Sequence, residues 1–258
     1  MARVTQITSR SNPLLVRLRK LAGDASSYRK SGTVLLEGEH LCAAWRMHGV
    51  PVRQAVVSEA AWATERLREL ASSAAEVAVV PDAAMAGLGT LDSAASIAFL
   101  VDAPGLSAVR QGEPTLVLDR VQDPGNVGSM LRSAAAFGFV QVIALTGTAA
   151  LWSPKVVRAG MGAHFGLHLV EGADESVLAA LGVPLFGTSP HATDRVDTFA
   201  LPWPCGWILA HEGQGISPGV ATRCTAMLSI PQPGGEESLN VAAAAAVCFY
   251  ESARRRRP

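Results

Sequence analysis

The chain has 258 residues, 49% of them apolar, enough for buried cores in one large domain or two modest ones. No apolar run approaches the roughly 18 to 20 residues that span a bilayer, and the first thirty residues lack a signal-peptide core, so a soluble, cytoplasmic protein is expected. The formal net charge of zero conceals segregation: residues 1–30 hold seven basic side chains against Asp24 alone, Arg254 to Arg257 add four more, and residues 31–253 carry a net −10.

In chain order, residues 11–21 (S-N-P-L-L-V-R-L-R-K-L) set Leu14, Leu15, Leu18 and Leu21 on one helical face and cations on the other, behind an Asn-Pro start signal. T-V-L-L-E-G-E-H-L-C-A-A-W then reads as a strand running into a helix. Strand-like 53–58, helix-like 60–72, and strand-like 76–80 and 96–101 complete a small α/β unit. Residues 102–114 are turn-rich and read as a linker. This gives a first domain over 1–101 and a second over 115–258.

In the second domain the alternation is cleaner. Strands are expected at 115–118, 141–145, 183–188, 207–210 and 227–230. Helices are expected at 127–137, near 154–162 and at 239–254. Such alternation implies an α/β fold: a parallel sheet with helices on both faces and ligands at the carboxyl ends of its strands. Cys42, Cys205, Cys224 and Cys248 are scattered without a C-x-x-C pair, so neither a metal site nor a disulfide framework is expected.

Three loop segments stand out. In D-P-G-N-V-G-S-M-L-R, Asp123-Pro124-Gly125 reads as a turn and Asn126 as the cap of the following helix, while Arg132 is out of place in a small, apolar helix. H-E-G-Q-G-I-S (211–217) has the look of a phosphate-binding turn, but Pro218 stands where a dinucleotide fingerprint needs its third glycine. P-Q-P-G-G-E-E-S-L-N (231–240) places Ser238 as a cap before an alanine-rich helix. Neither a P-loop nor a G-x-S-x-G elbow occurs. Taken singly, each segment also has a plain structural explanation.

The order L-D-x-V-x-D-P-x-N-x-G-x-x-x-R, then H-E-G-Q-G-I-S, then I-P-Q-P-G-G-E-E-S-L-N-V-A resembles the three motifs of the SpoU/TrmH family of RNA ribose 2′-O-methyltransferases. P-K-V-V-R-A-G-M-G-A-H-F (154–165) resembles the segment the family carries between the first two, and I-T-S-R-S-N-P with Y-R-K-S-G-T-V-L-L-E-G resembles its accessory RNA-binding domain. The resemblance implies a carboxyl-terminal trefoil knot, S-adenosylmethionine as cofactor, a homodimer, and RNA, ribosomal rather than transfer RNA, as substrate. Carried over by motif position, it implies a catalytic group of Asn126, Arg132, Glu212, Ser238 and Asn240. It implies cofactor contacts from Leu209, Ala210, Gly213 and Gly215 in one segment, and from Ile230, Leu239, Val241 and Ala242 in another. Two positions depart from the pattern: Ala210 and Gly160 replace the family's usual glycine and serine.

The cations Arg10, Arg17, Arg19, Lys20, Arg29 and Lys30 are the expected RNA contacts, because clustered basic charge is what a phosphate backbone requires. The Arg254 to Arg257 run reads equally as a solvated tail. His211 is a secondary base candidate, since an imidazole titrates near neutrality. A catalytically weak RNA-binding or assembly factor of the same fold, and a nucleotide-dependent doubly wound enzyme, remain alternatives.

Overall fold

Short runs of β-branched and apolar residues bounded by glycine, proline and acids fold as buried strands, and these make up most of the eleven strands among the described residues. The computed structural model describes residues 2–88, 95–105, 107–211, 213–234 and 239–256. By its internal contacts the chain divides into two compact units: Met1–Gly105 with Trp152–Phe165, and Leu106–Leu151 with Gly166–Pro258.

The first unit runs β1 (Arg3–Gln6), α1 (Pro13–Gly23), α2 (Ser27–Ser31), β2 (Thr33–Glu37), α3 (Glu39–Met47), β3 (Val52–Ser58), α4 (Glu59–Ala63), α5 (Glu65–Ala71), β4 (Ala74–Val80), α6 (Asp82–Ala86) and β5 (Ile97–Asp102). Its sheet has the order β1-β4-β3-β5-β2, with β5 antiparallel to both its neighbours. Asn12 caps α1 by accepting from the Leu14 N–H, and the helix buries Leu15, Leu18 and Leu21. The single helix expected over 60–72 is two, because Thr64 adopts an extended backbone and turns its hydroxyl onto the Ala61 carbonyl. Strand β1 was not expected: all four of its residues are exposed, so it carries no apolar signal.

The second unit runs β6 (Thr115–Asp119), α7 (Pro124–Ala136) and β7 (Gln141–Leu145). The chain then makes an excursion through α8 (Pro154–Gly160), which packs with the first unit. It returns as β8 (His168–Ala173), β9 (Leu185–Thr188), β10 (Gly206–Ala210), α9 (Pro218–Ala221), β11 (Ala226–Leu228) and α10 (Val241–Arg254). The sheet is wholly parallel in the order β11-β9-β10-β6-β7-β8. Strand β8 lies beyond the sequence reading because His168 and Glu171 interrupt its apolar run.

Alternation along the strands covers both faces. Val117, Ile143 and Ile208 join Leu178, Leu181 and Val220 in one core. On the other side α10 docks on β10 through a Trp207 Nε1–H bond to Ser252 Oγ at 2.9 Å, and packs against α7. Among its described residues from 103 to 114 the stretch expected as a linker carries no helix or strand, and Gln141 fastens it by bonding both the N–H and the carbonyl of Arg110.

The terminal arginines described are engaged. Arg254 pairs with Glu251, Arg255 bonds the carbonyls of Val196, Asp197 and Phe199, and Arg256 lies 5.2 Å over the Trp203 ring. A solvated tail does not describe these three side chains.

Candidate active site

Parallel strands put all their carboxyl ends on one edge, and register decides which loops meet there. Ala210, the last residue of β10, pairs with Asp119, the last of β6, so the first two distinctive segments leave the sheet side by side.

The first segment does not begin as expected. Asp123, not Asn126, caps α7, its carboxylate accepting the Asn126 N–H at 2.7 Å, with Pro124 inside the first turn. This frees the Asn126 side chain from capping, and its Oδ1 accepts a bond from Asn240 Nδ2 at 3.0 Å. Asn240 in turn is the cap of α10, with Oδ1 accepting from Ala242 and Ala243 at 3.0 and 3.3 Å. The helix expected to begin at 239 behind Ser238 therefore starts at Val241, and Ser238 and Glu212 lie outside the described residues. Arg132 is exposed on α7, on the outer side with Ser129, and among the described residues it has no ion-pair partner.

Beside these loops lies a cavity of about 200 Å³. Of the expected cofactor contacts, Ala210, Gly215, Ile230, Leu239 and Val241 line it. Leu209 is instead buried within β10, the Ala242 N–H is taken by the Asn240 cap, and exposed Gly213 donates to His211 Nδ1 at 3.0 Å. Thr188, Ser189 and Gln232 complete the polar part of the wall, brought there by the ends of β9 and by the stretch after β11. Thr188 and Ser189 carry no motif of their own and only the fold brings them here, whereas Gln232 belongs to the third segment but was not among the expected contacts. Gln232 Oε1 is buried without a hydrogen-bond partner among the described residues. A second cavity of about 540 Å³ shares Ile230, Gln232 and Leu239.

His211 lines the first cavity, but its Nδ1 accepts the Gly213 N–H, which places the proton of the neutral ring on Nε2. The cysteines offer no nucleophile: burial pushes the Cys205 and Cys224 thiols up to about 11 and raises Cys42 and Cys248 as well. Among the described residues no cluster of three or more His, Cys, Asp or Glu side chains is placed to hold a metal, and no helix is long and apolar enough to cross a membrane.

Two residues outside the expected set organise the second segment. Asp119 is buried at the end of an apolar strand and accepts the Ser217 N–H at 2.6 Å and Arg120 Nε at 3.0 Å. Arg120 continues to Gln214 Oε1 and the Gly215 carbonyl. An acid closing T-L-V-L-D was the available signal, since a carboxylate there is buried unless the chain turns it outward.

Of the departures from the family pattern, Ala210 puts its methyl group in the cavity wall. Gly160 ends α8 in the first unit, where a Cβ would stand 2.4 Å from His164 Cε1. The His164 ring occupies the space a serine side chain needs.

Comparison with known proteins identifies the family and the fold. The model of the SpoU rRNA Methylase family matches residues 113–250. The 23S rRNA (uridine(2479)-2′-O)-methyltransferase of Streptomyces viridochromogenes is 29% identical over 97% of this chain and 92% of its own. The 23S rRNA (guanosine(2553)-2′-O)-methyltransferase RlmP of Bacillus subtilis is 30% identical over 86% and 88%. Among solved structures, the SpoU methyltransferase AviRb from Streptomyces viridochromogenes, in complex with the cofactor AdoMet, superposes with a TM-score of 0.85 at 26% identity, covering 95% of this chain and 98% of that one.

Proposed function

The chain belongs to the SpoU rRNA methylase family, and we propose that it transfers the methyl group of S-adenosylmethionine to a ribose 2′-hydroxyl of ribosomal RNA in the cytoplasm. The observation that carries this reading is the bond between Asn126 and Asn240, which joins the first and third motifs, with Leu239 and Val241 on either side of Asn240 lining the cavity.

The residues present suit the cofactor. Ala210, Ile230, Leu239 and Val241 give an apolar wall for a flat base, Thr188 and Ser189 bring hydroxyls for a sugar, and the buried acceptor of Gln232 calls for an N–H donor from a ligand. When bound, the cofactor supplies a methyl group already activated on a sulfonium.

The protein's own task is to align a weak nucleophile and ease its loss of a proton. A guanidinium stays protonated in almost any setting, so Arg132 acts as an anchor for a phosphate and a stabiliser of developing oxyanion charge rather than as a base. Asn126 and Ser238 orient the ribose, Asn240 holds Asn126, and Glu212 positions these groups. The exposed cations of the first unit, Arg10, Arg17, Arg19, Lys20, Arg29 and Lys30, bind the RNA backbone. Arg17 and Arg19 are already directed by bonds to Thr33 Oγ1 and the Arg10 carbonyl.

A second copy of the chain is part of this reading. Exposed Leu239, Val247 and Tyr250 provide an apolar surface on and beside α10 that association would bury. So is the carboxyl-terminal knot, supported by a chain that returns to lay β10 between β6 and β9 before α10 packs on α7.

The test is transfer of labelled methyl from S-adenosylmethionine to ribosomal or transfer RNA. Incorporation into ribosomal RNA alone supports the proposal, and incorporation into transfer RNA alone overturns its substrate. Cofactor binding without incorporation into either would leave an RNA-binding or assembly role.

A further inference from the structure

Arg120 holds a backbone conformation that side-chain-bearing residues seldom adopt, with φ at +59°. The surroundings are built to keep it there. Its N–H donates to Thr148 Oγ1 at 3.1 Å, and that hydroxyl donates to the Leu118 carbonyl at 2.9 Å. Gly147, at φ +93°, leaves room for the stem: a Cβ there would stand 3.1 Å from Arg120 Cγ.

From this position the guanidinium spreads over Asp119 Oδ1 at 3.0 Å, Gln214 Oε1 at 2.8 Å and the Gly215 carbonyl at 3.1 Å. The other oxygen of Asp119 takes the Ser217 N–H at 2.6 Å. Both ends of the 214–217 turn are thereby tied to the end of β6, and its middle residues, Gly215 and Ile216, line the cavity. A glycine at position 120 would adopt the same backbone without strain but would lose the guanidinium's ties to Gln214 and Gly215, leaving Asp119 to hold Ser217 alone.

We propose that Arg120 and Asp119 form a positioning pair that sets the affinity for S-adenosylmethionine by holding the 214–217 turn closed on the cavity rim. This rests on the reading that the cavity takes that cofactor. Neither residue is placed in contact with the reacting atoms, so the effect should fall on cofactor binding before it falls on turnover.

The experiment is calorimetric titration of the full chain with S-adenosylhomocysteine, for the unaltered protein and for Arg120→Ala, Arg120→Gly and Arg120→Lys. Each ligand-free protein is melted in parallel. Loss of charge-assisted bonds predicts a Kd raised about tenfold for the alanine and glycine variants. Arg120→Gly should melt above Arg120→Ala, because both lose the guanidinium beside buried Asp119 but only the glycine is free of the strained backbone, and Arg120→Lys should recover part of the affinity. In turnover, KM for the cofactor should rise in Arg120→Gly with kcat changed less. An Arg120→Gly protein that binds as tightly as the unaltered one overturns the inference while leaving the cofactor reading intact. So does a loss of affinity that merely follows a loss of melting temperature. Failure of the unaltered protein to bind overturns the cofactor reading itself, and this inference with it.

Discussion

Asn240 does two jobs with one side chain: its Oδ1 caps α10 through the Ala242 and Ala243 N–H groups, and its Nδ2 reaches Asn126 Oδ1 at 3.0 Å. A residue that ends the third motif therefore fixes a residue of the first. Replacing it separates folding from chemistry. Asn240→Ala should cost about 1 kcal/mol of stability through the lost cap. Asn126→Ala, which caps nothing through its side chain, should cost less, and both should lower turnover at least about tenfold. Urea unfolding and methyl transfer on the same preparations check this, and equal stability losses would contradict the division of roles.

Arg132 is exposed and without an ion-pair partner among the described residues, so its substitution should leave the fold alone. Arg132→Lys keeps the charge but loses the planar fork that holds a phosphate by two bonds. Turnover should fall by about tenfold or more with unfolding unchanged. Near-full turnover in this variant would contradict the bidentate anchor.

Restoring the family's serine at position 160 should harm this protein. A Cβ there meets His164 Cε1 at 2.4 Å, and His164 is itself buried, its ring centroid 5.1 Å from that of Trp152. Gly160→Ser should destabilise the chain by about 1 to 3 kcal/mol, and adding His164→Ala should recover much of the loss. Denaturation of the two variants measures it, and a single serine variant as stable as the parent would refute the packing argument.

Glu37 and Arg158 pair at 2.9 Å inside the first unit. Burial lifts the Glu37 carboxyl above its ordinary value of 4.5, against the pull of Arg158. Between 4.5 and the raised folded value, the folded chain binds the proton that the unfolded chain has lost, so stability falls as pH rises through that window. Glu37→Gln has no such proton. Its stability relative to the parent should climb as pH rises through the window and level off above it. Urea midpoints from pH 4.5 upward would show this, and a relative stability that declines with pH would show the sign to be wrong.

Much of the second unit was legible because parallel strands buried on both faces must be nearly continuous apolar runs, as in T-L-V-L and Q-V-I-A-L. The strand H-L-V-E-G-A and the exposed R-V-T-Q lack that run and stayed hidden. Helix starts were misread by a turn for a chemical reason: Asp-Pro-Gly is good turn material, yet here Asp123 is the cap and Pro124 the first helical residue. At the site, motif order pointed to Asn126, Asn240, Ala210, Gly215 and Ile230. Thr188 and Ser189 were out of reach, because nothing local marks residues that only the strand order gathers, while Gln232 lay inside the third segment and was passed over.

The most direct measurement is the chemical position of the transferred methyl group. Ribosomal RNA incubated with the protein and labelled S-adenosylmethionine is digested in alkali, which cleaves beside a free 2′-hydroxyl but not beside a methylated one. Ribose 2′-O-methylation predicts label confined to alkali-resistant dinucleotides. Label in mononucleotides, as base methylation would give, would contradict it.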